Sequence, residues 1–208
     1  MADMADIIEQ SLREPLEDRG TLIRGTLLVM SMILIIPILT LYGYVLRTIK
    51  YSAEQKGVPE VTDFVELTTD GLKLFILLIP VMLFSIVPLI VVSFANSDAL
   101  TLIVILVYQL FSLAIGYLAM AMLMRYAVEG GWRSVYSMDT LNMAFSKDYL
   151  IYFVIYVIVY MMLYIAVMII WLLSFITIIG WVVVIPLTIF YMMAWMGVYF
   201  GKVYRELD

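Results

Sequence analysis

The chain has 208 residues, of which 65% are hydrophobic and only 14% are charged. Soluble domains carry about 25% charged residues, so this composition indicates a polytopic membrane protein. The net charge of −5 argues against a nucleic-acid partner, because phosphates require a basic surface. The absence of cysteine and histidine excludes disulfides, thiolate metal sites and histidine general bases.

The first 24 residues read as an acidic, amphipathic N-terminal segment. They lack the basic region and the short apolar stretch with which a cleavable signal peptide begins. We therefore expect residues 25–201 to form a single helical membrane domain, and residues 202–208 to form a cytoplasmic tail.

Apolar blocks between the charged residues predict an all-α fold with about five transmembrane helices. A bilayer core of ~30 Å is crossed by about 20 apolar helical residues. Residues 149–201 contain no charged side chain and are divided near residues 174–180 by Ser, Thr and Gly. The first block could instead be a re-entrant hairpin bent at Pro37, but it is short for two crossings. The predicted spans are residues 25–46, 74–97, 99–124, 149–173 and 178–201.

The distribution of Lys and Arg predicts the orientation in the cell membrane. Two long connections and the C-terminal tail share one side of a five-span protein, whereas the opposite connections carry no Lys or Arg. The side that carries the Lys and Arg residues should be cytoplasmic. The N-terminal segment disagrees, because five spans place its three arginines outside. The cytoplasmic set is Arg47, Lys50, Lys56, Lys73, Arg125, Arg133, Lys147, Lys202 and Arg205.

Each of the two cytoplasmic connections is expected to hold a short amphipathic helix in the membrane interface, at about residues 59–71 and 132–147. Apolar residues at helical spacing define one face of the first. Its other face is acidic, so it fits a solvated rim or a basic partner better than anionic lipid. The apolar face of the first predicted helix comprises Val61, Phe64, Val65, Thr68 and Leu72.

The same two connections resemble each other, which suggests an internal duplication of a span, an interfacial helix and a second span. The alternative is that any interfacial connection is amphipathic and has charged ends. A shift of 78 residues aligns Arg47 with Arg125, Asp70 with Asp148, Leu72 with Leu150 and Phe75 with Phe153.

A polar aromatic stripe descends the fourth span and is the main candidate for a functional surface. A tyrosine deep in a membrane requires a hydrogen-bond partner for its hydroxyl, so the stripe should face other helices or a hydrated groove. Helix packing and a ligand path both fit this pattern. The stripe consists of Tyr152, Tyr156, Tyr160 and Tyr164.

Two further sets of residues indicate structural roles. Gly197 and Gly201 form a small-xxx-small pair that permits close helix approach on the last span. Near the cytoplasmic end of the first span, Gly43 allows close approach, and Tyr44 and Arg47 share one helical face at the interface. Arg47 can pair with an acidic residue such as Asp70, and Asp70-Gly71 is a plausible hinge.

Several of these residues belong to motifs that precede residue 75. The motifs are Ile36-Pro37, Gly43-Tyr44-Val45-Leu46-Arg47, Val58-Pro59 followed by Phe64, and Asp70-Gly71-Leu72-Lys73. Together with Pro15-Leu16 before an acidic stretch, they resemble the membrane family called domain of unknown function 4013, found widely in archaea. The resemblance covers residues 15–75. It implies a multi-pass prokaryotic membrane protein without an established activity, and it adds no site.

No ionisable residue lies inside any predicted span, which argues against proton coupling, ion coupling and intramembrane catalysis. We therefore predict no catalytic residue, no metal site and no cofactor. The leading hypothesis is a non-enzymatic scaffold or subunit of a membrane assembly, with the bilayer and a protein partner or a second copy as neighbours. The alternatives are a small-solute transporter or channel along the tyrosine stripe, and a lipid- or isoprenoid-binding protein.

Overall fold

The computed structural model describes residues 4–31, 35–93, 98–174, 177 and 180–207, and these are helical apart from short connections. The all-α fold predicted from the composition is confirmed. The elements in chain order are α1 (Met4–Glu17), α2 (Arg19–Met30), α3 (Ile35–Ala53), α4 (Phe64–Ser93), α5 (Asp98–Glu129), α6 (Trp132–Val135), α7 (Met138–Ala144), α8 (Lys147–Ser174), a π-helical turn (Gly180–Val184) and α9 (Ile185–Leu207).

Within the part of the chain that the structure describes, three stretches of helix are long and apolar enough to cross a bilayer: Leu102–Glu129, Lys147–Ser174 and Val182–Leu207. They correspond to the third, fourth and fifth predicted spans. Helix α4 has 30 residues and includes most of the second predicted span, of which residues 94–97 lie outside the described part of the chain. The chain is therefore a helical membrane protein, while the predicted count of five spans is not confirmed.

The first apolar block folds back on itself. Gly25 of α2 and Tyr44 of α3 both contact the ring of Phe190 on α9, and the Tyr44 and Phe190 ring centroids are 5.0 Å apart. In a straight helix, two residues that far apart in sequence would be about 28 Å apart. The structure thus replaces the single span predicted at residues 25–46 with two helices, and Pro37 lies in the first turn of the second, α3.

Helix α9 lies at the centre of the core, and α3 packs alongside α9 with its chain running in the same direction. Tyr44 packs on Phe190, and one or two turns further on, Thr48 lies against Gly197 and Ser52 against Gly201. Most residues of α9 from Phe190 to Tyr204 are buried. The core therefore surrounds the C-terminal half of α9, and the apolar ends of α5 and α8 project beyond it with exposed side chains.

The N-terminal helix α1 also packs on α9. The Tyr191 hydroxyl donates to the Leu12 carbonyl (2.9 Å), and the buried Lys202 ammonium donates to Gln10 Oε1 (2.8 Å) and pairs with Glu14. These contacts hold the N-terminal segment and the C-terminal end of the chain together.

Neither predicted interfacial helix has its expected form. Residues 59–63 are not helical, and α4 begins at Phe64 and passes through Asp70-Gly71 without a hinge. On this segment Val61 of the predicted apolar face is buried within the protein, as is Leu67 outside that face, whereas Phe64 and Val65 of the predicted face are exposed. The second connection, residues 132–147, forms the two short helices α6 and α7 and the first residue of α8. Ser137 caps α7 and separates it from α6.

The two helix pairs related by the 78-residue shift meet at equivalent positions. In the first pair, Gly71 of α4 packs on the Leu39 carbonyl of α3. In the second pair, the Tyr149 hydroxyl of α8 donates to the Tyr117 carbonyl of α5 (2.8 Å). Positions 39 and 71 correspond to positions 117 and 149 under the shift. The contact is made by backbone in one pair and by a side chain in the other.

Candidate functional site

The tyrosine stripe on α8 divides into a packed half and an open half. Tyr156 is only 8% exposed, and its ring stacks on Trp195 with centroids 5.5 Å apart and contacts Phe200 at 4.6 Å. The backbone carbonyl of Tyr152 accepts a hydrogen bond from the Tyr199 hydroxyl (2.7 Å). This half of the stripe joins α8 to α9 by ordinary helix packing.

Tyr160 and Tyr164 lie on the open half, where they are 39% and 49% exposed. Their rings stack on each other with centroids 6.3 Å apart. Neither hydroxyl has a hydrogen-bond partner among the described residues. These two residues therefore present unpaired polar groups on the surface of a transmembrane helix.

The open half borders a groove of about 290 Å³ between α8 and α9. Trp171 closes one end, where its indole N–H donates to the Thr188 hydroxyl (2.8 Å). Met192 and Met196 line the wall on α9. Thioether side chains are flexible and contact aromatic rings favourably, so this wall can adapt to an occupant.

The sequence prediction identified the tyrosines but missed the α9 side of the groove. Met192, Met193 and Met196 recur at helical spacing, which is the pattern that identifies one face of a helix. Methionine is also a common core residue, so this pattern acquires meaning only when α8 and α9 are known to be antiparallel neighbours. The pairs Trp171–Thr188 and Tyr152–Tyr199 establish that arrangement.

The interface motif is brought together where α3 and α4 meet. A Cβ on Gly43 would meet the Leu67 carbonyl and lie 3.0 Å from the Gly71 nitrogen, and a Cβ on Gly71 would meet the Leu39 carbonyl. Tyr44 is fully buried in the core rather than at an interface. The motif glycines thus fix the approach of two helices.

Arg47 forms the predicted ion pair with Asp70 and a second ion pair with Glu66. Its guanidinium lies 3.1 Å from Glu66 Oε2 and 3.9 Å from Asp70 Oδ2, and Asp70 also pairs with Lys73 at 3.1 Å. The acidic side chains of the first turns of α4 are therefore neutralised within the protein. This arrangement favours the solvated rim over a basic partner at that surface.

The glycine pair on α9 faces α3. A Cβ on Gly197 would lie 2.9 Å from Thr48 Cβ, and a Cβ on Gly201 would lie 2.6 Å from Ser52 Cβ.

No three acidic side chains within the described residues converge to form a metal site.

Comparison with known proteins identifies a family. The model of the family described as "Protein of unknown function (DUF4013)" matches residues 26–175, well over half of the chain. The match confirms the resemblance seen in the motifs and extends it beyond residue 75. No curated protein and no solved structure matches the chain.

Proposed function

We propose that this chain, which belongs to the DUF4013 family of proteins of unknown function, is a non-enzymatic subunit or scaffold of a membrane assembly. In this proposal a transmembrane helix of a second membrane protein occupies the groove between α8 and α9. The observation that carries the proposal is the pair of unpartnered hydroxyls on Tyr160 and Tyr164.

Both tyrosines lie far from the ends of the apolar helix that carries them. The apolar helix runs from Lys147 to Ser174, so Tyr160 lies at its middle and Tyr164 one turn further on. Burying a hydroxyl in an apolar medium without a partner costs about 1–3 kcal/mol on mutational scales. A neighbouring helix that offers a carbonyl or a polar side chain removes this cost, and interhelical hydrogen bonds of this type contribute about 0.6 kcal/mol each.

The packing of Tyr156 favours a subunit over a transporter. Its ring fills the space between α8 and α9 against Trp195 and Phe200. It therefore separates Tyr152 from the groove that Tyr160 and Tyr164 border. A solute path along the whole stripe would require this ring to move.

Four crossings, made by α4, α5, α8 and α9, form the topology of this proposal. The sequence of α4 from Leu74 to Ser93 contains no charged residue, and its length suffices for a crossing. An even number of crossings places both chain ends on one side, in agreement with the contact between α1 and α9. The arginines of the N-terminal segment then join the other Lys and Arg residues on the cytoplasmic side.

Co-purification in mild detergent tests the proposal. The wild-type chain should bring one membrane protein with it, and the double variant Tyr160→Phe, Tyr164→Phe should retain about five- to tenfold less of it, as expected from losing two interhelical hydrogen bonds. Tyr136→Phe is the matched control, because this exposed tyrosine lies between α6 and α7, outside the groove.

The same experiment can reject the proposal. Equal recovery of co-purifying proteins with the wild type and the double variant would show that the hydroxyls recruit no partner. Recovery of the tagged chain with an untagged copy of itself, and with nothing else, would replace the subunit by a homo-oligomer.

A further inference from the structure

A second groove lies between α5 and α8, on a different face from the one bordered by Tyr160 and Tyr164. Its volume is about 670 Å³. Leu110 and Leu113 of α5 and Val154 and Ile158 of α8 form its walls, and all four are substantially exposed. We propose that this groove binds one chain of an anionic membrane lipid, whose headgroup is held by Lys147.

The floor of the groove shows why it is open. Tyr117 of α5 packs edge-on against Phe153 of α8, with ring centroids 4.8 Å apart. The Tyr149 hydroxyl also donates to the Tyr117 carbonyl. These large side chains keep the two helix backbones apart, so a slot forms on the outer side of the aromatic rings.

The polarity of the slot changes along its length. Its walls from Leu150 to Ile158 are apolar, and one end is lined by Ser146 and Lys147. Lys147 is exposed and makes no ion pair with any described residue. One cation at the end of an apolar slot complements a molecule with a negative head and a hydrocarbon chain.

The dimensions agree with this occupant. Lys147 and Ile158 are separated by 11 residues of helix, a length of about 16 Å, which is half of a ~30 Å hydrocarbon core. A lipid chain from one leaflet covers that depth. A partner helix would fill the apolar part equally well, but it would leave the ammonium group of Lys147 without a counter-ion.

Native mass spectrometry of the full chain, equilibrated with equal amounts of phosphatidylglycerol and phosphatidylcholine, tests the proposal. The wild type should retain one phosphatidylglycerol in preference to phosphatidylcholine. Lys147→Gln should lower this preference about fivefold, the contribution of one lysine near an anionic surface. Arg133→Gln is the matched control, because it removes an exposed cation from the same connection outside the groove.

A second variant separates the chain site from the charge. Ala114→Trp fills the groove and should abolish retention of both lipids. Ile105→Trp adds the same indole to the other side of α5, on an exposed residue, and should leave retention unchanged. Addition of inorganic phosphate should not displace the lipid, since the apolar slot contributes to binding.

Three results would overturn the proposal. The first is equal retention of the two lipids by the wild type. The second is an unchanged preference in Lys147→Gln, a surface variant that leaves the core intact. The third is displacement of the lipid by phosphate alone, which would make Lys147 a site for free anions.

Discussion

Gly43 of α3 and Gly71 of α4 touch through their backbones, and no side chain separates the two helices at this point. The contact is reciprocal. Gly43 lies against the carbonyl of Leu67, one turn before Gly71, and Gly71 lies against the carbonyl of Leu39, one turn before Gly43. Both glycines belong to the motifs that resemble those of the family. Their role is therefore to set the distance between two helices.

The first prediction concerns this contact. Gly43→Ala and Gly71→Ala should each destabilise the protein by about 1–3 kcal/mol, because overpacking at a rigid backbone contact forces the helices apart. Gly116→Ala on α5 is the control, since a Cβ there meets open space. It should be neutral or stabilising by about 0.5–1 kcal/mol through helix propensity. Thermal unfolding in detergent measures all three, and equal effects would refute this role for the glycines.

The second prediction concerns the ion pair between α1 and α9. Glu14→Ala leaves the Lys202 ammonium buried without its charge partner, and we expect a loss of about 3 kcal/mol together with release of α1. Arg13→Ala breaks the exposed pair with Glu17 on the same helix and should cost less than about 1 kcal/mol. Limited proteolysis of the N-terminal segment measures the release. Equal protection of α1 in both variants would contradict the prediction.

The third prediction concerns the start of α2, where Asp18 is the N-cap. The Thr21 hydroxyl donates to Asp18 at 2.5 Å and the Gly20 N–H donates at 2.8 Å, and the first of these is the main cause of the lowered pKa of this carboxyl group. A lowered pKa stabilises the fold above the unfolded value of 3.8, and this stabilisation is lost as the pH falls through the folded value. Asp18→Ala should cost about 1 kcal/mol at neutral pH.

Unfolding midpoints at several pH values check this prediction. The difference between the wild type and Asp18→Ala should shrink once the pH falls below 3.8. A difference that is the same at pH 7 and at the acidic end would mean that the charge of the cap contributes nothing.

The sequence predicts the fold class because hydropathy along a chain reports directly on the solvent, and charge-free stretches such as residues 149–201 have few alternatives to helices in lipid. Hydropathy does not distinguish a span from an apolar helix buried in protein. Hydropathy therefore predicts one span at residues 25–46, whereas the structure divides this block between α2 and α3, with Gly25 and Tyr44 both against Phe190.

The candidate site was predicted only in part for a similar reason. The spacing of Tyr152, Tyr156, Tyr160 and Tyr164 places all four on one face of α8, but α9 covers only part of that face. Which tyrosines remain open depends on the crossing of α8 and α9. That crossing is set by contacts distant in sequence, such as the one between Tyr152 and Tyr199.

Site-directed photocrosslinking in native membranes tests the central claim most directly. A benzoylphenylalanine at Met192 lies in the groove between α8 and α9, and one at Met162 lies on the opposite face of α8. We predict a discrete adduct to a second membrane protein from Met192 alone, lost when Tyr160 and Tyr164 are both changed to Phe. Adducts to lipid alone at both positions, or the same protein adduct from Met162, would contradict the account.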